Sequence, residues 1–304
     1  MILDDLLAGR QYKRPQKDKE RVLLPELKML VRHHVDNCVP YARIVRYTAP
    51  ALQDVQSLAE LPYIPAGLFK THKLQSVADN SIGAILTSSG TGGVLSRIAI
   101  DAVTAKYQAR GLAAVMQEAI GPGRLPMLII EQEETIMDRS RLSARAVGVL
   151  GMMAFGRAPL FAVDEAMRLK MDAVKDFVRR HGRAPFLIFG FTSIVWKHFL
   201  QNIIAEGMDL SLGILIHGGG WKKLENEKVD STAFRKAFAK SCGLNKIYNY
   251  YGMIEQPGMI CLEGSDGCVY PPAFGEVIIR DPQTWEALPP GCTRTNRVKY
   301  CGRS

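Results

Sequence analysis

The stretch Ser81–Ile130, SIGAILTSSGTGGVLSRIAIDAVTAKYQARGLAAVMQEAIGPGRLPMLII, decides how this chain is read. It opens on a short apolar run, Ile82–Leu86, that stops at Thr87-Ser88-Ser89-Gly90-Thr91-Gly92-Gly93. Arg97–Ile100 reads as a second strand, and Ala102–Ile120 as a helix closed by Gly121-Pro122-Gly123. Met127–Ile130 then reads as a buried strand.

Toward the C-terminus the alternation continues. Asp164–His181 reads as a helix with Asp164 as its N-cap, Phe186–Phe189 as a strand and Ser193–Ile204 as a helix. Leu212–Ile216, Ile247–Tyr250 and Glu276–Arg280 read as further strands, with a helix at Ser231–Ser241. Strands alternating with helices predict an α/β fold of layered, largely parallel sheets flanked by helices.

Toward the N-terminus, apolar residues recur at helical spacing through Arg21–Val35. Pro40, Pro50, Pro62 and Pro65 punctuate Cys38–Lys70 into loops and short helices. The division expected is a helical segment at 1–80, a nucleotide-binding core at 81–291 and an irregular tail at 292–304. The tail Thr293–Ser304 has no apolar rhythm and reads as solvated, truncated or frame-shifted.

Composition sets wider bounds. The 304 residues carry a net charge of +9, with 47% hydrophobic and 23% charged, an ordinary balance for a globular protein. A basic balance suits anionic ligands. The densest basic run, Arg10–Arg21, reads as a solvated face, and no nucleic-acid-binding signature surrounds it. Met1–Leu7 carries two aspartates and no secretory core, and no stretch has membrane-spanning length, so a cytoplasmic protein is expected. The cysteines Cys38, Cys242, Cys261, Cys268, Cys292 and Cys301 are then expected as thiols. Cys261, Cys268 and His217 lack the spacing of a zinc site.

Three segments carry chemistry. Leu86–Arg97, LTSSGTGGVLSR, sets hydroxyls and glycines directly after a strand, where backbone amides can cradle phosphate oxygens. It is not a Walker A loop, since no Gly-Lys-Ser/Thr follows, and it also reads as a plain hairpin loop. Ile214–Lys223, ILIHGGGWKK, leaves room for a flat group against the backbone, or makes a sharp strand-to-helix turn. Trp221 there suits packing or stacking equally. Tyr248–Gly258, YNYYGMIEQPG, places an aromatic beside a glycine and a carboxylate, Glu255, three residues on. An aromatic ring can stack on a purine and a carboxylate can hold Mg2+, although Glu255 alone would pass for a loop residue.

In this order the three segments resemble the adenylate-forming superfamily of acyl-CoA synthetases, luciferases and phenylacetate-CoA ligases. Its phosphate loop, adenine-pocket turn and YGxTE motif would be Ser88–Leu95, His217–Trp221 and Tyr251–Glu255. The closer resemblance is to the acyl-protein synthetase family, the fatty-acid-activating component of the luminescence fatty acid reductase. Leu61–Ser76 (LPYIPAGLFKTHKLQS), His217–Lys223, Tyr251–Gly258 and Phe274–Asp281 carry it, within a likeness over about residues 20 to 291.

The resemblance implies the N-terminal domain of an adenylate-forming enzyme, with the C-terminal lid absent or truncated. It implies ATP and Mg2+ as cofactors and a fatty or other small carboxylic acid as substrate, activated as acyl-adenylate for transfer to a protein thiol. An acyl reductase is the implied protein partner. Ser88, Ser89, Gly90, Thr91 and Gly93 would hold phosphates, and Gly219, Gly220, Tyr251 and Gly252 would frame the adenine. Glu255 would bind Mg2+, with Glu255 and Thr91 as the catalytic pair, and the acyl chain would pass Phe191 and Trp221. Gly92, Leu95 and Ile254 depart from the superfamily pattern of threonine, proline and threonine. The same fold also serves aryl- or acyl-CoA ligation and polysaccharide acyl transfer, and a truncated non-catalytic nucleotide-binding domain is the remaining alternative.

Overall fold

The structure is a computed structural model, and it describes residues 2–48, 51–88, 94–137 and 144–289. The chain divides into two compact units: Met1–Glu118 with Gly252–Cys261 and Cys268–Ser304, and Ala119–Tyr251 with Leu262–Gly267.

The first unit begins with helices α1 (Ile2–Ala8), α2 (Gln16–Asn37), α3 (Val39–Thr48) and α4 (Leu68–Thr71). Leu6, Leu23 and Leu58 gather with Ala273 into a core, flanked by Val22, Leu27, Leu61, Phe274 and Ile278. Segments from both ends of the chain therefore share one apolar cluster. Lys19 of α2, within the basic run that reads as solvated, is instead buried beside Glu276 at 3.3 Å, and Gln16 Nε2 donates to the same carboxylate at 2.6 Å. Burial pulls the Lys19 pKa down, while Glu276 opposes that shift.

Strands β1 (Ile82–Thr87) and β2 (Arg97–Asp101) form an antiparallel pair with Thr87 opposite Arg97. They make a two-stranded sheet of their own rather than joining the parallel one. Asp101 then caps α5 (Ala102–Ile120), its Oδ1 accepting from Thr104 N at 2.6 Å.

The second unit is built on parallel strands. These are β3 (Leu125–Ile130), β4 (Gly156–Phe161), β5 (Phe186–Phe191), β6 (Gly213–Gly218) and β7 (Lys246–Gly252). With β8 (Ile260–Glu263), the strand order is β4-β3-β5-β6-β7-β8. Each pair from β4 to β7 is parallel. β5 and β6 are buried at all their positions, as expected for strands covered on both faces, so they read as apolar runs without alternation. The α/β class and the largely parallel sheet expected from the sequence are present.

Helices α6 (Ala144–Met153), α7 (Met171–His181), α8 (Thr192–Ile194), α9 (Gln201–Glu206) and α10 (Ser231–Cys242) connect these strands. A π-helical turn, Val195–Leu200, joins α8 to α9.

Three further expectations are corrected. The helix expected from Asp164 starts at Met171, with Lys170 as its N-cap. Asp164 instead accepts from Ala166 N at 2.9 Å and Arg168 N at 2.8 Å, closing a turn that competes with helix. Glu276–Arg280 is no strand, although an isolated bridge pairs Arg280 with Ala287. Cys38, Cys242 and Cys261 are buried thiols as expected, but Cys268 is disulfide-bonded. The expected tail at 292–304 lies outside the described residues. No helix among the described residues is long and apolar enough to cross a membrane.

Candidate functional site

Register brings the second unit's motif residues to one edge of the sheet. Ile130 of β3 pairs with Gly190 of β5, Phe191 with Gly218 of β6, and Gly218 with Tyr250 of β7. Four adjacent parallel strands thus end together, and the carboxyl ends of such strands are where open α/β sheets bind ligands. Gly219 and Gly220 leave β6 at this edge, next to the end of β7 that carries Tyr251.

The three glycines have different reasons to be glycine. A Cβ on Gly218 would stand 2.6 Å from Cε1 of Tyr250. A Cβ on Gly219, at φ +80°, would stand 2.9 Å from Cδ1 of Phe191. These two make room for rings of the protein itself. Gly220, at φ +68°, would meet nothing within 4 Å, so its Cα side is open. Phe189 ties the rings together, at 5.8 Å from Phe191 and 6.3 Å from Tyr250 between centroids. Burial pushes the Tyr250 phenol up to about 12.

His217 and Trp221 lie beneath this edge. The Trp221 ring meets Trp196 at 5.6 Å and Phe234 at 6.3 Å, both edge-on, so it is a packing residue in an aromatic cluster. His217 stacks on Phe234 at 4.5 Å, with Nδ1 2.9 Å from the Thr192 hydroxyl. Thr192 Oγ1 donates to the Gly218 carbonyl at 3.0 Å, which leaves its lone pairs to accept from His217 Nδ1–H. Burial, with a smaller push from Arg235, lowers the His217 pKa to about 3, so the ring is neutral at physiological pH.

Two acidic groups in this unit had no signal in the sequence. Glu263 on β8 is buried and accepts from Asn249 Nδ2 at 3.0 Å, from Ser231 Oγ, and from Arg235 at 3.4 Å. Glu131, directly after β3, is fully buried and paired with Arg145 of α6. Neither belongs to a recognisable motif, and only the fold gives them partners.

The remaining motif residues belong to the first unit. Ser88 closes the β1–β2 hairpin: its N donates to Ser96 O at 3.3 Å, and its Oγ accepts from Ser96 N at 3.0 Å. Ser96 is a residue that the motif reading missed. It is buried, and its own hydroxyl has no partner among the described residues. Ser89, Gly90, Thr91 and Gly93 lie outside the described residues. Gly252 ends β7, where a Cβ would stand 2.8 Å from Cδ1 of Ile260. Glu255 lies in the turn that follows, closed by Gln256 N donating to Met253 O at 3.1 Å.

That turn rests on α5 through glycines. A Cβ on Gly258 would stand 2.9 Å from Gln108 Cα, and one on Gly111 would stand 3.2 Å from the Gly258 carbonyl. Among the described residues, no group of three or more His, Cys, Asp or Glu gathers as a metal cage. A lone carboxylate such as Glu255 suits a Mg2+ ion that arrives on phosphates and keeps waters.

The α/β fold is similar to that of solved CoA ligases. A crystal structure of 2-hydroxyisobutyryl-CoA ligase in the postadenylation state, in complex with 2-HIB-AMP, matches at TM-score 0.66 and 14% identity. The match covers 93% of this chain and 59% of that one. The same ligase in an open conformation with 2-HIB-AMP and CoA matches at TM-score 0.65 and 13% identity, over 93% and 61%. This chain thus spans about three fifths of the length of the structures it matches. Among curated proteins none matches. The sequence model of the acyl-protein synthetase LuxE family matches residues 1–297, and the chain belongs to that family.

Proposed function

We propose that this protein activates a carboxylic acid with ATP, forming an acyl-adenylate and releasing pyrophosphate. A carboxylate oxygen attacks the α-phosphorus, and the bond from that phosphorus to the pyrophosphate oxygen breaks. The observation that carries this reading is the paired ending of β6 and β7. It sets the open side of Gly220 beside the strand end bearing Tyr251, within a chain whose family is that of acyl-protein synthetases.

In this proposal Gly219, Gly220, Tyr251 and Gly252 frame the adenine. Ser88, Ser89, Gly90, Thr91 and Gly93 hold the phosphates, so that nucleotide binding falls within 81–291. Glu255 would hold the Mg2+, which would offset phosphate charge, and with Thr91 it would support the charge that develops there. The acid is a long-chain fatty acid, and its acyl group passes to a protein thiol and then to an acyl reductase, as in the fatty acid reductase of bioluminescence. The buried thiols Cys38, Cys242 and Cys261 fit a cytoplasmic setting, to which the Cys268 disulfide is the exception.

The test is ATP–pyrophosphate exchange with Mg2+ and a panel of fatty and aryl acids. Exchange that depends on one acid class and is lost in Glu255→Ala establishes the activity and names the class. Folded protein that shows no exchange with any acid rules the active-enzyme reading out and leaves a nucleotide-binding domain.

A further inference from the structure

Glu131 and Arg145 form a pair that no motif accounts for, at the ligand edge of the second unit's sheet. Glu131 follows the last residue of β3, and its side chain is 0% exposed. Its Oε1 accepts from Gln132 N at 2.9 Å. Its Oε2 accepts from Arg145 Nε at 2.9 Å and also from Nη2. The Arg145 side chain keeps 37% of its exposure, and its Cζ lies 5.7 Å from the centre of the Phe191 ring. A Cβ on Gly148, one turn further along α6, would stand 3.5 Å from Phe191 Cζ and 3.7 Å from the Tyr250 hydroxyl. Helix α6 thus meets the same two rings that crowd Gly218 and Gly219.

A fully buried carboxylate is costly, and replacing a buried ion pair by apolar residues is often neutral or stabilising. Packing alone therefore gives no reason to keep this pair. Its geometry does something apolar residues cannot: it fixes a guanidinium through one edge. Nε–H and one Nη2–H go to Glu131, its only hydrogen-bond partner among the described residues. The Nη1 side of the fork is left with two N–H groups, on the side chain that remains part-exposed. A fork held this way is pre-organised for an oxyanion. The Phe191 ring beside it supplies an apolar wall for whatever carries that anion.

We propose that Arg145, fixed by Glu131 over Phe191, receives the carboxylate of the acid substrate. This rests on the acid-activating reading given above. Arg145 is then a substrate-binding residue and Glu131 a positioning residue. An oxyanion at Arg145 has two sources, the acid and the ATP phosphates, and kinetics separates them.

The experiment uses the full chain with dodecanoate and benzoate as probes. Pyrophosphate exchange is measured with each acid and ATP varied in turn, for wild type, Arg145→Gln, Arg145→Lys and Glu131→Gln. Arg145→Gln should raise the KM for the responsive acid about tenfold or more and leave the KM for ATP unchanged, because only acid binding loses its donor. Arg145→Lys should fall between, since a point charge cannot replace the fork. Glu131→Gln should shift the same KM by less, and it carries the test if Arg145→Gln does not fold.

A rise in the KM for ATP instead assigns Arg145 to phosphate and overturns the proposal, as does no change in either constant. Equilibrium dialysis of radiolabelled acid without nucleotide separates this from failure of the adenylation reading. If wild type shows no exchange but binds acid, and Arg145→Gln does not, the binding assignment stands while the activity falls. If wild type binds neither acid, the proposal falls as well.

Discussion

The imidazole of His217 holds Nδ1 2.9 Å from the hydroxyl of Thr192, and that hydroxyl reaches the Gly218 carbonyl at 3.0 Å. The chain of bonds fixes one neutral tautomer and ties the strand β6 to the start of α8. It also has a pH consequence. The folded-state pKa is lowered to about 3, below the unfolded value of about 6.5. Above pH 6.5 the ring is neutral in both states and contributes no pH dependence. As pH falls from 6.5 toward 3, the unfolded chain takes up a proton that the folded one refuses, and stability drops.

The expected slope from this group is about 1.4 kcal/mol per pH unit once pH is well below 6.5. His217→Asn retains a donor for Thr192 and does not titrate in this range. Urea denaturation at pH 7.5, 6 and 5 should show a steeper loss in wild type than in this variant. Equal slopes would mean that His217 is protonated in the folded protein.

Gly219 should tolerate no side chain. Gly219→Ala places a Cβ 2.9 Å from the Phe191 ring at a left-handed φ. The expected loss is about 2–4 kcal/mol, combining backbone strain with overpacking. Trimming the ring in Gly219→Ala/Phe191→Leu should recover the packing part and leave the strain. Thermal melts of the single and double variants check this. Gly220→Ala, with nothing within 4 Å, should lose only the strain.

Lys19 and Glu276 should behave as a buried pair. Lys19→Met or Glu276→Gln alone is expected to cost about 3–5 kcal/mol, because each leaves a buried charge without its counter-ion. The double variant Lys19→Met/Glu276→Gln should cost less than their sum. A double-mutant cycle in urea measures the coupling, and strict additivity would show that the two charges do not depend on each other.

Asp230 accepts from Ala233 N at 2.7 Å and caps α10. Asp230→Ala should cost about 1 kcal/mol, and Asp230→Asn clearly less. Equal losses in denaturation would indicate that charge rather than the cap bond matters.

Most of the strands and helices were legible because their signals are local. Ala102–Ile120 ends where Gly121 and Pro122 stop a helix, and the runs Phe186–Phe189 and Leu212–Ile216 lie within or overlap β5 and β6. Misreadings arose where a side chain diverted the backbone locally. Asp164 has the look of an N-cap, but it spends its carboxylate on a turn, and α7 begins seven residues later. Glu276–Arg280 has strand composition but finds no ladder partner. Helix α6 and strand β4 were not anticipated, since their pattern only makes sense beside β3.

The sequence by itself determined the layered α/β class, the family resemblance and the motif positions from Ser88 to Glu255, since each rests on residues that are neighbours in the chain. Tertiary structure decided what those residues face. It showed that Gly218 and Gly219 make room for Tyr250 and Phe191, while Gly220 is open. It turned Trp221 into a packing residue and neutralised His217 by burial. It joined Gln16 and Lys19 to Glu276, and Ser231 to Glu263, across long stretches of chain. It also placed Arg145 between a buried carboxylate and an aromatic ring. Periodicity reports which side of an element is buried; only strand register and packing set which side chains meet there, and at what distance.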